Sequence, residues 1–179
     1  IAQEQADDAN TGGIDDIVVT AQKRAQNLQD VPISVSAFDD KAIQEAGFTN
    51  SLSIGDQVPN LEIKTFGGVP NIFIRGVGNN DFNASSIGPI SIYRDDVVVA
   101  STGSQIFSLF DLERIEVVRG PQGTLFGKNT TGGAIQFHMR SGRELAGIEV
   151  GAEGGDDAYR TAWIMAGGGG RQGQYTAFF

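Results

Sequence analysis

The sequence predicts an α+β domain with short helices, followed by the first antiparallel strands of a transmembrane β-barrel. Short β-prone stretches alternate with turn-forming segments in a chain of 179 residues holding 25 glycines, about double the usual share. Helical and strand patterns mix without a βαβ rhythm, which favours α+β over a doubly wound sheet. After Gly142 the pattern changes to stretches that alternate apolar and polar residues across tight turns, as membrane-barrel strands do.

Taken in order, residues 1–16 carry Glu4, Asp7, Asp8, Asp15 and Asp16, no base, and Gly12-Gly13, which reads as a solvated, flexible leader. Ile17, Val18 and Val19 form a β-prone island. From Val31 to Phe38, Val31, Ile33, Val35 and Ala37 alternate with Pro32, Ser34 and Ser36, so a strand is expected, with Pro32 at its start or on a sheet edge. Asp39 or Asp40 caps a short helix that runs through Ala46 and ends at Gly47. Ser51 or Ser53 opens another that stops before Pro59. Strands are expected at Leu61 to Lys64, Ile72 to Arg75, Pro89 to Arg94, Val97 to Ala100, Glu113 to Arg119 and Ala134 to Arg140. Beyond Gly142, Gly147 to Glu153 and Tyr159 to Ala166 read as strands around the turn Gly154 to Asp157, and a third begins near Gln174. The smallest membrane barrels need about eight strands. This tail is expected to open a barrel whose remainder lies elsewhere, through truncation, proteolysis or a second chain.

Composition excludes several classes of function. A net charge of -9 makes nucleic acid a poor partner, since Lys and Arg supply that affinity. There is no cysteine, hence no disulfide framework or thiolate metal site. No apolar run of about 18 residues marks a transmembrane helix. Gly123 to Lys128 approaches a phosphate loop, but its glycine spacing is one residue short and Asn129 stands where Ser or Thr would hold Mg²⁺. Gly76-Val77-Gly78 lacks the third glycine of a dinucleotide site. The stretch from Asn79 to Asn83 has Ala84 where a calcium loop requires glycine. His138, the single histidine, lies in a strand and reads as a packed side chain. No catalytic constellation remains, so an enzyme is not expected, and no cofactor is implied.

The most informative run is Leu112 to Ile135, LERIEVVRGPQGTLFGKNTTGGAI, a strand ending in Arg119-Gly120-Pro121, then a glycine-rich turn, then a second apolar stretch. With Ile72-Phe73-Ile74-Arg75-Gly76 and the hairpin-like Ile92-Tyr93-Arg94-Asp95-Asp96-Val97, it resembles the plug domain of TonB-dependent outer-membrane receptors. The resemblance covers nearly the whole chain. It implies a flexible periplasmic leader at 1–29, a plug around a mixed sheet at 30–141, and the start of the barrel at 142–179.

In that family a barrel of about 22 strands leaves a wide lumen, stopped by the plug until the TonB protein, energised from the inner membrane, pulls on it. Asp16, Ile17, Val18, Val19, Thr20 and Ala21 look like the TonB box, which works by adding a strand to a partner's sheet edge; the plainer reading is an ordinary edge strand. The resemblance sets Arg75 and Arg119 against carboxylates on the barrel wall, where guanidinium binds bidentately, with Glu116 and Arg114 joining that network. It places Asn79, Asn80, Asp81, Phe82, Asn83, Ser101, Gln105 and Phe107 at the outward apex as ligand contacts; plain turn chemistry also explains most of these residues. The implied partners are TonB, the rest of the barrel, outer-membrane lipid and an extracellular small molecule. Ferric siderophores are the commonest substrates, with haem, cobalamin, other metal complexes and oligosaccharides as rivals. The stretch before the box is too short for a folded signalling domain, so transport without a signalling role is expected. The alternative is a stand-alone plug-like module that captures ligand or partner without transporting.

Overall fold

The computed structural model describes residues 17–21, 23–81, 83, 85–141, 147–155, 160–170 and 173–178. In chain order the strands are β1 (Val18–Val19), β2 (Gln26–Asn27), β3 (Ser34–Asp39), β4 (Leu61–Phe66), β5 (Val69–Ile74), β6 (Val77–Gly78), β7 (Ile90–Arg94), β8 (Val97–Val98), β9 (Leu112–Arg119), β10 (Gly133–Met139), β11 (Gly147–Gly154), β12 (Arg160–Gly170) and β13 (Gly173–Phe178). Two short α-helices join them, α1 (Asp40–Glu45) and α2 (Gly123–Phe126).

A five-stranded sheet in the order β3-β9-β10-β7-β8 forms the centre. β10 runs parallel to β7 and antiparallel to β9, so the sheet is mixed. β4, β5 and β6 form a separate antiparallel sheet, and so do β11, β12 and β13. This is the expected α+β domain followed by antiparallel barrel-type strands.

Strand alternation builds the core. On one face of the central sheet Ile90, Ile92, Ile115, Val117, Ile135 and Phe137 are buried together with Ile43, Phe48, Ile54, Leu61, Ile72 and Ile74 from the covering elements. The residues between them, pointing the other way as a pleated strand requires, include Glu116, Gln136 and His138, also buried. The second face is therefore apolar only in patches, such as the cluster Tyr93, Phe126 and Ala134, and it carries a polar layer.

Local signals decided the small elements. The Asp39 side chain accepts the Ala42 N–H at 2.8 Å and caps α1, and Gly47 follows at φ 66°, as a left-handed helix end requires. β3 begins only at Ser34, because Pro32 has no N–H for the ladder. The second expected helix is a 3₁₀ turn, Ser53–Asp56, entered from Leu52 without a side-chain cap. Asn50 takes over that role, its Oδ1 accepting the N–H groups of Leu52 at 2.9 Å and Ser53 at 3.3 Å. The strand expected through Ala100 stops at Val98.

Asp95 and Asp96 turn the β7–β8 hairpin at φ 47° and 65°, the left-handed pair that a type I′ turn needs. Tertiary bonds hold it: the Asp95 carboxylate accepts the Met139 N–H at 2.9 Å, and Lys23 reaches Asp96 at 2.6 Å.

Gly133 opens β10 at φ 151°, where an added Cβ would sit 2.4 Å from the Val118 carbonyl oxygen and 2.9 Å from Ile74 Cδ1. Gly133→Ala is expected to destabilise the central sheet by about 1–3 kcal/mol through overpacking, read as a lower denaturant midpoint for proteolysis of residues 120–140 in the intact receptor.

Candidate functional site

Residues 17–21, expected to be part of a flexible leader, are docked on the domain. β1 pairs antiparallel with β2, Val18 against Asn27 and Val19 against Gln26, and Leu28 N–H donates to the Ile17 carbonyl at 2.9 Å. Ile17 and Val19 thus turn their main-chain groups toward β2, while those of Val18 and the Thr20 N–H turn the opposite way; the Thr20 carbonyl accepts the Lys23 N–H at 2.7 Å in the turn. The Val19 and Ala21 side chains are fully buried, and Val18 is half exposed. Burial of two apolar side chains is one physical reason the segment does not float. Asp16 lies outside the described residues.

Thr20 ends this segment on the polar face of the sheet. Its N–H donates to Glu116 Oε1 at 2.8 Å, and its hydroxyl lies 3.2 Å from the same oxygen. Arg114 closes the cluster, with Nε 2.8 Å from Glu116 Oε1, Nη2 donating to Thr20 Oγ1 at 3.1 Å, and Nη1 on Glu113. Gln136 Nε2 reaches Glu116 Oε2 at 3.4 Å, and His138 Nε2 stands 3.3 Å from the Thr20 hydroxyl. Burial first, and the Arg114 charge second, push the His138 pKa below its ordinary value, which favours the neutral ring. A little further on, Lys23 ties the segment to Asp96 and lies 5.1 Å from the centre of the Phe126 ring. The Lys23 hydrogen bond is the main influence holding the Asp96 carboxyl below its usual value.

The four residues expected together at the barrel wall fall into two groups. Glu116 and Arg114 belong to the Thr20 cluster and do not meet Arg75 and Arg119. The reason is the pleat: Arg119 shares its face with Val117 and Ile115, whereas Glu116 and Arg114 face the other way. Arg75 and Arg119 do come near each other. Arg75 donates to Ser34 Oγ at 3.0 Å, and Arg119 to Ser36 Oγ at 2.7 Å and the Pro59 carbonyl at 3.1 Å. Burial first, and the Arg75 charge second, lower the Arg119 pKa. Its Nε is buried without a hydrogen-bond partner among the described residues. Arg75 also occupies the left-handed region at φ 53°, sparsely populated for a residue with a side chain, in the two-residue turn from β5 to β6. Its N–H donates to the Asn60 carbonyl at 2.8 Å, which helps hold that conformation.

The two loops expected at the apex meet around a cleft of about 130 Å³ whose lining includes Asn71, Asn79, Asp81, Asn83, Thr102 and Gln105. Much of its polar chemistry is internal. Asn79 Oδ1 accepts the Asp81 N–H at 3.0 Å, Asp81 Oδ1 the Asn83 N–H at 3.1 Å, and Asn83 Oδ1 the Ser85 N–H at 3.0 Å, a succession of Asx turns. Asn80 and Ser101 are exposed, and Phe82 lies outside the described residues. Phe107 is partly buried and packs against the core: its ring meets Phe137 edge-on with centres 4.9 Å apart, and the Arg94 guanidinium lies 5.6 Å from it. The cleft opens where β7 and β10 begin, and the Thr20 cluster lies three to five residues along β10, about 10–16 Å at strand rise.

Sequence reasoning missed the junction between the domain and the last sheet. Arg140 donates to Asp111 at 2.7 Å and to Glu149 on β11 at 2.9 Å, and Phe110 meets Trp163 of β12 edge-on at 5.6 Å. Alternation places Glu149 and Trp163 on one face of that sheet, with Met165 buried beside them. The opposite face presents Ile148, Val150 and Ile164, exposed at 76%, 68% and 38%. The two faces were legible from the period; the partners Asp111 and Phe110 were not.

Comparison with known proteins gives this geometry its relatives. Residues 27–134 match the family model of the TonB-dependent receptor plug domain. The chain is 28% identical to a vitamin B12 transporter, BtuB, of Vibrio vulnificus over 83% of its length, and 30% identical to the pesticin receptor of Yersinia pestis over 84%. It spans only about a quarter of those proteins, 24% and 23%. Among solved structures, the ferric yersiniabactin uptake receptor FyuA of Yersinia pestis superposes with a TM-score of 0.64 at 23% identity, over 78% of this chain and 22% of that one. The pyoverdine receptor FpvA of Pseudomonas aeruginosa superposes at 0.70 and 16% identity, over 89% and 23%. The family match over more than half of the chain, on a fold that these receptors share, shows that the chain belongs to the TonB-dependent receptor plug family and carries the plug of an outer-membrane receptor.

Proposed function

We propose that this chain is the gate of an outer-membrane active transporter, opened when TonB pulls on residues 16–21. The observation that carries the reading, beside the family match, is the mode of attachment of Ile17 to Ala21: a two-residue ribbon, two small buried side chains and a few polar bonds. A β-prone segment held so lightly suits detachment and addition to a partner's sheet edge.

The division into a leader at 1–29, a plug at 30–141 and barrel strands from 142 fits the same reading. Arg75 and Arg119, near each other and without a carboxylate partner among the described residues, suit carboxylates supplied by the barrel wall. The apolar face of Ile148, Val150 and Ile164 suits outer-membrane lipid, and its Glu149 face suits the lumen. The cleft among Asn71, Asn79, Asp81 and Gln105 suits one edge of a polar extracellular ligand. A ferric siderophore or a similar metal complex is the substrate class proposed. FyuA is a ferric yersiniabactin uptake receptor and FpvA a pyoverdine receptor, and the B12 transporter among the relatives makes cobalamin the main rival.

Uptake assays in a receptor-deletion strain complemented with the full-length protein test the proposal. Accumulation of a labelled ferric siderophore that stops when the proton gradient is dissipated would support it. Isolation of the native protein in detergent with no barrel-sized mass would favour the stand-alone binding module instead.

A further inference from the structure

We propose that Glu116 is the positioning residue that keeps Ile17 to Ala21 docked, and that its carboxylate guards the strand edge a partner would need. The inference rests on the reading of residues 16–21 as the segment that TonB captures, and adds to it the device that withholds the segment.

A carboxylate with no solvent exposure in the middle of a sheet is costly unless donors surround it. Glu116 is fully buried. Of the groups around it, the N–H and hydroxyl of Thr20 belong to the docked segment; Arg114, Gln136 and, at 3.5 Å, His138 belong to the sheet. Lifting the segment removes the first two and admits water in their place. Water replaces those two bonds less well than Thr20 makes them, so Glu116 favours the docked state while leaving the open one accessible. That distinguishes it from an apolar contact, which is simply lost.

The position of Thr20 sharpens the point. β2 occupies the edge of β1 formed by Ile17 and Val19. The opposite edge begins with the main-chain groups of Val18 and continues with Thr20, whose N–H is already taken by Glu116 and whose carbonyl accepts the Lys23 N–H at 2.7 Å. An incoming strand can pair at Val18 but finds no donor one rung later until the carboxylate lets go of the Thr20 N–H, and no acceptor there until the turn bond from Lys23 opens. Arg114 holds Glu116 and the Thr20 hydroxyl together at 2.8 and 3.1 Å, so the cluster acts as one latch.

The test uses the full-length receptor with a spin label on Val18→Cys, whose parent side chain is half exposed, and reads the ratio of mobile to docked label without ligand. Glu116→Gln keeps the shape and one acceptor oxygen but removes the charge, and is expected to raise that ratio about tenfold; Glu116→Ala is expected to raise it further. Val117→Ala weakens the same strand from its other face and is expected to leave the ratio near wild type. A ratio unchanged in both Glu116 variants, or raised equally by Val117→Ala, overturns the latch. Disulfide cross-linking of unlabelled Val18→Cys to a cysteine-bearing periplasmic fragment of TonB is the second readout. More cross-linking in Glu116→Gln supports latch and capture together. A mobile label with no cross-linking supports the latch and defeats the reading of 16–21 as the TonB-binding segment.

Discussion

Val18→Pro in the full-length receptor is expected to abolish energised uptake, by at least about a hundredfold, because proline removes a ladder donor that strand addition requires. Ligand affinity is expected to stay within about twofold, since a change on the half-exposed side chain of Val18 disturbs little packing and the cleft near Asn71 and Gln105 lies along the sheet from it. The register explains why this residue is the informative one. Ile17 and Val19 bond to β2, and the main-chain groups of Val18 face away from it. Proline there deletes the donor offered to a partner and leaves the internal ribbon its bonds. Parallel measurements of labelled-ligand binding and uptake separate the two effects. Wild-type energised uptake by this variant would rule out Ile17 to Ala21 as the captured segment.

The largest effect on stability is expected from Phe137→Ala. Phe137 is fully buried at the centre of β10, faces Ile115 across the ladder, and packs edge-on against Phe107. Truncating such a ring removes its transfer energy and leaves a cavity that a close-packed sheet cannot collapse, costing about 3–5 kcal/mol. Hydrogen exchange of the Val117 and Ile135 amides in the intact receptor is the direct measurement. If the sheet opens as a unit, exchange quickens by about a hundredfold or more. Unchanged exchange would show that the central sheet does not depend on this side chain.

Both predictions join a residue whose strand was legible in the sequence to a partner that was not. Alternation from Glu113 to Arg119 and from Ala134 to Arg140 was enough to expect β9 and β10, but the network expected there joined Arg119 to Glu116 and Arg114, which the pleat puts on the other face. Nor did alternation reveal that the face of Glu116, Gln136 and His138 is buried, because what covers it comes from the segment around Thr20. Phe107 sat in a loop of polar residues and was grouped with them; an aromatic in such a run can face ligand or core with the same local pattern, and only the tertiary structure shows its ring against Phe137. The expected flexibility of the leader followed from its acidic composition, but that composition ends before Ile17, and Val19 and Ala21 bury themselves.

The sequence by itself determined the short-range features: the Asp39 cap on α1, the glycine after it, the turn at Asp95-Asp96, the two-faced strands after Gly142, and the motifs that announce a plug. Each depends on residues a few positions apart, whose geometry the chain imposes locally. Tertiary structure alone decided which faces meet. Thr20 and Glu116 are 96 residues apart, and β7 and β10 lie parallel only because the chain between them crosses over. Arg75 and Arg119 come near each other because β3 and the loop at Pro59 hold both. A strand's period fixes the direction of a side chain but not its distant partner, and in this protein the candidate gate is made of distant partners.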